Sequence, residues 1–360
     1  MTERVPLRLL VVMPSWVGDV VMATPTLRRL RDRFKGSFIG GLVRPGMDQL
    51  LAGTAFFDEL HVERASGVMG PKFVAAKVRP RRYDTALLLT NSFSTALVVR
   101  LAGIPRRIGY DRDARGLLLT DRLEAPRRER GGWAPVPAVE YYLRLAERFL
   151  LSPGSEGAAS PAGRVPPMEL ATTESEERSA DDLLARAGIA PGARMALLNP
   201  GGNNPAKRWP VERFAALADY LAERHAMTVL LNGSPAEAEL VGAIASACRI
   251  ARPVQLPGLG INLGSLKAVI RRCRLMVTND TGPRHIAGAF GVPLVSLFGP
   301  TDPRWTIIPA PEVVLKADPT LPESEVAEDH PERCRIERIS LEAVVEGVET
   351  ALQGVPTYRA

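Results

Sequence analysis

The sequence has few of the features that fix a protein by cross-links, membrane spans or thiolate metals. Only three cysteines occur in 360 residues, Cys248, Cys273 and Cys334, with no CxxC spacing. That leaves no disulfide framework or thiolate zinc site and fits a reducing compartment. No apolar run approaches the roughly 20 residues of a spanning helix, and the opening LRLLVVM is too short for a signal peptide. The expected setting is the cytoplasm, with contact to a membrane at most peripheral. GxxxxGK[ST], GxSxG and HExxH are also missing, which argues against a P-loop NTPase, a nucleophile elbow and a zincin. The stretch GLGINLG (258–264) imitates a dinucleotide fingerprint, but its last glycine comes one residue late, so it reads as a loop. Asp111-Arg112-Asp113 could be a metal-binding pair of aspartates; with no strand leading in, it reads as a solvated charged loop, and no metal is implied. No basic segment is interleaved with aromatics, which are only 6% of the chain, so nucleic acid is not an expected partner.

What is present is an ordinary globular composition, 46% hydrophobic and 24% charged, long enough for two cores. The net charge of +6 is unevenly spread. Residues 1–165 carry 26 Lys+Arg against 16 Asp+Glu, and the remainder 20 against 24. A basic first half suits nucleic acid, an anionic membrane surface or an acidic substrate.

Short apolar strands at 7–13, 38–43, 59–62 and 83–89 alternate with helical segments, including one over 17–34 kinked at Pro25. SPGSEGAASPAGRVPP (152–167) has no hydrophobic period and reads as a linker. The alternation then resumes, with helices at 173–187, 210–224, 235–248, 263–273 and 283–290 and strands at 195–199, 227–233, 275–279 and 293–299. Two α/β domains are therefore expected, 1–165 and 166–335, and a final amphipathic helix within 336–360 is expected to pack back across their junction. Two such domains make a cleft lined by the carboxyl ends of both sheets, where ligands bind.

Three loops at strand ends carry chemistry. PSWVGDV (14–20) sets Gly18 and Asp19 in the opening turn of a helix. NPGGNNPAKRWP (199–210) runs from a strand through Gly202 and Asn203 to Lys207, a combination of backbone N–H groups and an ammonium that favours a phosphate. VTNDTGPRHIAGAFG (277–291) takes a buried strand through Asp280, Thr281 and Gly282 into a helix with His285 in its first turn, where unpaired N–H groups and the helix dipole attract an anion. Together these loops point to a phosphorylated ligand.

PSWVGDVVMATPTLRRLRDRF, LLTNSFSTALVVRLAGIPRRIGY, NPGGNNPAKRWPVERFAALADYL and VTNDTGPRHIAGAFGVPLVSLFGPTDP resemble, in that order, the lipopolysaccharide heptosyltransferases of glycosyltransferase family 9, and within it the heptosyltransferase II branch. The resemblance implies a GT-B fold and an inverting, metal-independent transfer of heptose from ADP-L-glycero-β-D-manno-heptose to a heptose of the lipopolysaccharide inner core, with no cofactor. It implies that Asp19 is the general base and that Lys207 neutralises the departing diphosphate. Gly18, Gly202, Asn203, Glu237, Asp280, Thr281, Gly282 and His285 would lie on the donor side, and Asn91, Ser92, Arg106 and Arg107 on the side of a lipid A–Kdo–heptose acceptor. That acceptor suits the basic first half and places the protein at the inner face of the inner membrane. Departures are the Gly202-Asn203 loop, where some relatives carry hydroxyl residues, and the single cysteine in PERCRIERIS. The competing readings are the first heptosyl transfer or another nucleotide-sugar donor on the same fold, and a nucleotide-binding protein without turnover.

Overall fold

The computed structural model describes residues 6–129, 131–152 and 166–354. The chain divides into two compact units, Met1–Ala171 with Trp305–Ile307, and Thr172–Arg304 with Ile308–Ala360. The linker expected at 152–167 lies, apart from its ends, outside the described residues.

The first unit holds strands β1 (Arg8–Val12), β2 (Phe38–Val43), β3 (Glu59–Val62), β4 (Thr85–Leu88), β5 (Arg106–Asp111) and β6 (Asp121–Glu124). They form one parallel sheet in the order β3-β2-β1-β4-β5-β6. The second unit holds β7 (Met195–Asn199), β8 (Thr228–Leu231), β9 (Val254–Gln255), β10 (Leu275–Asn279), β11 (Leu294–Phe298) and β12 (Glu312–Lys316), parallel in the order β12-β11-β10-β7-β8-β9. Central strands such as MALLN and LMVTN are buried along their whole length, as helices on both faces require. In each sheet the chain runs outward on one side and then returns to start the other, so a topological switch point lies between β1 and β4 and another between β7 and β10. Loops leaving the carboxyl ends of those pairs are where such a sheet binds ligands.

Several boundaries differ from the sequence reading. The helix expected over 17–34 is two, Val17–Met22 and Thr24–Arg33, because Pro25 sits in the first turn of the second, where its missing N–H costs no hydrogen bond. The segment 235–248 opens with a 3₁₀ turn, Pro235–Glu237, before the helix Ala238–Ala247. A strand does lead into the DRD stretch, since β5 ends at Asp111, and Asp113 and Ala114 then turn the chain at φ of 56° and 59°. The helix Leu341–Leu352 packs against β10, β11, β12 and the helix Val211–His225 as part of the second unit's own core.

One core residue matters directly to the loop after β7. Trp209 is 1% exposed, donates its Nε1–H to the Ile339 carbonyl at 2.8 Å and meets Phe214 edge to face at 5.1 Å. Two residues before it stands Lys207, so the tryptophan fixes where that lysine's backbone starts. Truncating it to alanine would cost about 3–5 kcal/mol.

Candidate active site

In the second unit, three asparagines at strand ends build a buried polar bridge. Asn232 donates to Asn199 Oδ1 at 2.6 Å, and Asn199 donates in turn to Thr278 Oγ1 at 3.2 Å and Thr281 Oγ1 at 2.8 Å. Asn279 donates to the carbonyls of Pro200 and Gly201 at 2.7 and 3.2 Å, tying the loop after β7 to the end of β10. Buried amides are retained when such partners satisfy them. The repeated LLN at the ends of β7 and β8 and the TN of β10 are the sequence signal for this bridge, which the loop motifs alone did not disclose.

On this frame Lys207 Nζ reaches Asp280 Oδ2 at 3.1 Å, and the Thr301 hydroxyl donates to the same oxygen at 3.1 Å. Burial alone would raise the Asp280 carboxyl, but the charges of Lys207 and Arg284 outweigh it and hold the group below the ordinary carboxylate range. Arg284 is itself anchored, its Nε and Nη2 donating to the Glu312 carboxylate at 2.5 and 2.7 Å. Thr281 stands at the N-cap of the helix Gly282–Ala289 without a side-chain cap. The amino end of that helix therefore keeps its attraction for an anion. His285 is 3% exposed, and burial, with the Arg284 charge, pushes its imidazole down to about 3, so the ring is neutral. Its Nδ1 has no hydrogen-bond partner among the described residues.

Glu237 lies on the far side of the same loop. Its carboxylate accepts from the Gly202 N–H at 2.7 Å and from the Ser234 N–H and hydroxyl at 2.8 and 2.9 Å. Burial opposes the charge, but these bonds hold the carboxyl below its usual range. Gly201 makes the approach possible, because a Cβ there would stand 2.3 Å from Glu237 Oε1. Asn203 is exposed at the loop's tip. Gly202, Lys207, Glu237, Asp280, Thr281, Gly282 and His285 thus gather at one end of the second sheet.

The first unit carries a cavity of about 450 Å³ at its own switch point, lined among others by Asp19, Arg44, Asn91, Ser92 and Tyr142. Asp19 opens the helix Val17–Met22, with Gly18 buried beside it. The Tyr142 hydroxyl donates to Asp19 Oδ1 at 3.0 Å. Burial, then the neighbouring carboxylate, raises that phenol well above its ordinary range, so it stays a donor. Asn91 Oδ1 accepts from Arg115 at 3.2 Å and Tyr141 at 3.3 Å. Arg115 is completely buried and also binds the carbonyls of Tyr110 and Thr90; burial pushes its guanidinium down to about 10. Ser92 accepts from the Thr95 N–H at 3.2 Å as the N-cap of the helix Phe93–Leu101.

Arg106 and Arg107 are elsewhere. They open β5 at its amino end, opposite the edge where Asn91 leaves β4. Arg106 binds Asp121 and the Phe149 carbonyl, and Arg107 the carbonyls of Ile104, Pro105 and Leu118. Their guanidiniums brace loops, and neither lines the cavity.

Comparison with known proteins gives the same outline. The solved structure of E. coli ADP-heptose lipopolysaccharide heptosyltransferase II superposes with a TM-score of 0.78 at 27% identity, over 96% of this chain and 99% of the other. With its two six-stranded parallel sheets, the molecule is a glycosyltransferase of the GT-B fold. It belongs to glycosyltransferase family 9 (heptosyltransferase), whose model matches residues 74–322. Lipopolysaccharide heptosyltransferase 2 of Escherichia coli K12 is 29% identical over 316 residues, and lipooligosaccharide heptosyltransferase 2 of Haemophilus influenzae 30% over 314, each alignment covering 83% of this chain and 85% of the relative.

Proposed function

We propose that the protein transfers heptose from ADP-L-glycero-β-D-manno-heptose to a heptose of the lipopolysaccharide inner core, with inversion and without a metal ion. The observation that carries this reading is the Lys207 ammonium beside Asp280 at the open amino end of the helix Gly282–Ala289. The names of the relatives support the sugar and the acceptor class. In the proposed reaction, Asp19 takes the proton from an acceptor hydroxyl as its oxygen forms a bond to the anomeric carbon. The bond from that carbon to the diphosphate oxygen breaks on the opposite face, and ADP leaves with the electron pair. Lys207 and the helix end stabilise the charge that develops there, the role a divalent cation would otherwise fill. Asp280, fixed as an anion, accepts from sugar hydroxyls and keeps the lysine aimed; Glu237 takes the ribose.

The test is transfer from ADP-heptose to a heptosyl-Kdo acceptor in excess EDTA, followed by analysis of the anomeric configuration. Product of inverted configuration, at a rate insensitive to EDTA, is expected. A requirement for Mg²⁺ would remove the role given to Lys207, and transfer only from UDP- or GDP-sugars would remove the donor.

A further inference from the structure

We propose that the exposed face of the helix Gly70–Val78, together with the turn before it, docks on an anionic lipid bilayer. The helix buries Pro71, Val74, Ala75 and Val78 against its own unit. Its other face shows Met69, Phe73 and Ala76 at helical spacing, with Lys72 and Lys77 beside them, all exposed. Val68 is 96% exposed, Phe73 65% and Met69 49%. Leaving such side chains in water is unfavourable, so a group of them close together marks a surface meant to be covered. The helix Phe93–Leu101, packed against it, also leaves Phe93, Arg100 and Leu101 exposed.

Charge selects the occupant. From Glu59 to Arg82 there are six cations, Arg64, Lys72, Lys77, Arg79, Arg81 and Arg82, and two acids. Those acids, Glu59 and Glu63, pair with Arg81 and Lys77, leaving the segment strongly positive. Apolar side chains ringed by Lys and Arg are what an interfacial helix presents to anionic headgroups. The same segment reaches the first unit's cavity, which Arg64, Ala65 and Val74 line. A bilayer held here would present its surface sugars to that cavity.

The experiment is co-sedimentation of the full chain with phosphatidylglycerol-containing vesicles and with phosphatidylcholine vesicles, at low and high salt. Binding to the anionic vesicles that weakens with salt is expected. Partition should fall about tenfold or more in the triple variant Val68→Ser, Met69→Ser, Phe73→Ser, and several-fold in Lys72→Glu, with unchanged circular dichroism. Equal partition of parent and triple variant would overturn the proposal, as would a concentration-dependent dimer that the triple variant abolishes. A second arm rests on the proposed heptosyl transfer. With a short water-soluble acceptor the triple variant should keep the parent's rate, and with the acceptor embedded in vesicles it should lose most of it. Absence of transfer in every arm would count against the reaction alone, since the sedimentation result does not depend on it.

Discussion

The two units share a topology and set an aspartate at each switch point, and the proposed reaction gives the two different work. In the second, Asp280 is held by Lys207, with Arg284 nearby, and stays ionised below the ordinary range. In the first, Asp19 receives a neutral phenol from Tyr142 at the wall of a cavity. A carboxylate locked by cations is a poor proton acceptor and a good fixed anion. In the proposed reaction the Asp19 carboxylate takes the proton of the acceptor hydroxyl. On the proposed reaction, the second unit's aspartate stands with the leaving anion and the first unit's with the nucleophile.

The largest test of that contrast is Asp19→Asn. Its kcat should fall 10²- to 10⁴-fold while ADP affinity is unchanged, because the lost group acts only on the acceptor proton. Equal loss of ADP affinity would erase the distinction between the units. A smaller effect is expected of Tyr142→Phe. Removing a donor to the ionised form raises the Asp19 pKa, so the acid limb of the kcat/KM profile should move to higher pH, with a rate loss of about tenfold. A uniform loss with no shift of that limb would make the tyrosine merely structural.

A third effect is on stability. Buried His285 has a folded-state pKa of about 3 against about 6.5 for an unfolded histidine, so the unfolded chain binds the proton first as pH falls. Stability should be fully present above pH 6.5 and decline toward pH 3. The lowered carboxyls of Asp280 and Glu237 add to the acid end of that decline. Thermal melts of the wild type and His285→Gln between pH 7 and 4 would check it; the variant should lose less on acidification, and parallel curves would contradict the assignment.

Much of the second unit was legible because its strands are buried on both faces and read as unbroken apolar runs between capped helices. The two strands on one side of the first sheet were not. RRIGYD and DRLE, which form β5 and β6, carry too many charges to look like strands, and their place is decided by neighbours distant in sequence. EVVLK of β12 was missed for a related reason, lying at an edge beyond a Pro-rich loop. Of the site, Asp19, Lys207 and the 280–285 stretch were readable as loops after strands. Tyr142 was not, since in AVEYYLRLA it looks like any core position and its partner lies 123 residues away. Arg106 and Arg107 stand at the amino end of their sheet and outside the cavity lining, a placement that charge beside a strand does not disclose.

The most direct measurement is calorimetric titration of ADP, first in EDTA and then with Mg²⁺, into the wild type, Lys207→Ala and Asp19→Asn. Binding in EDTA that weakens about tenfold or more in Lys207→Ala and not at all in Asp19→Asn is the predicted result. Binding that needs Mg²⁺, or that Lys207→Ala leaves intact, would contradict the division of labour between the two units.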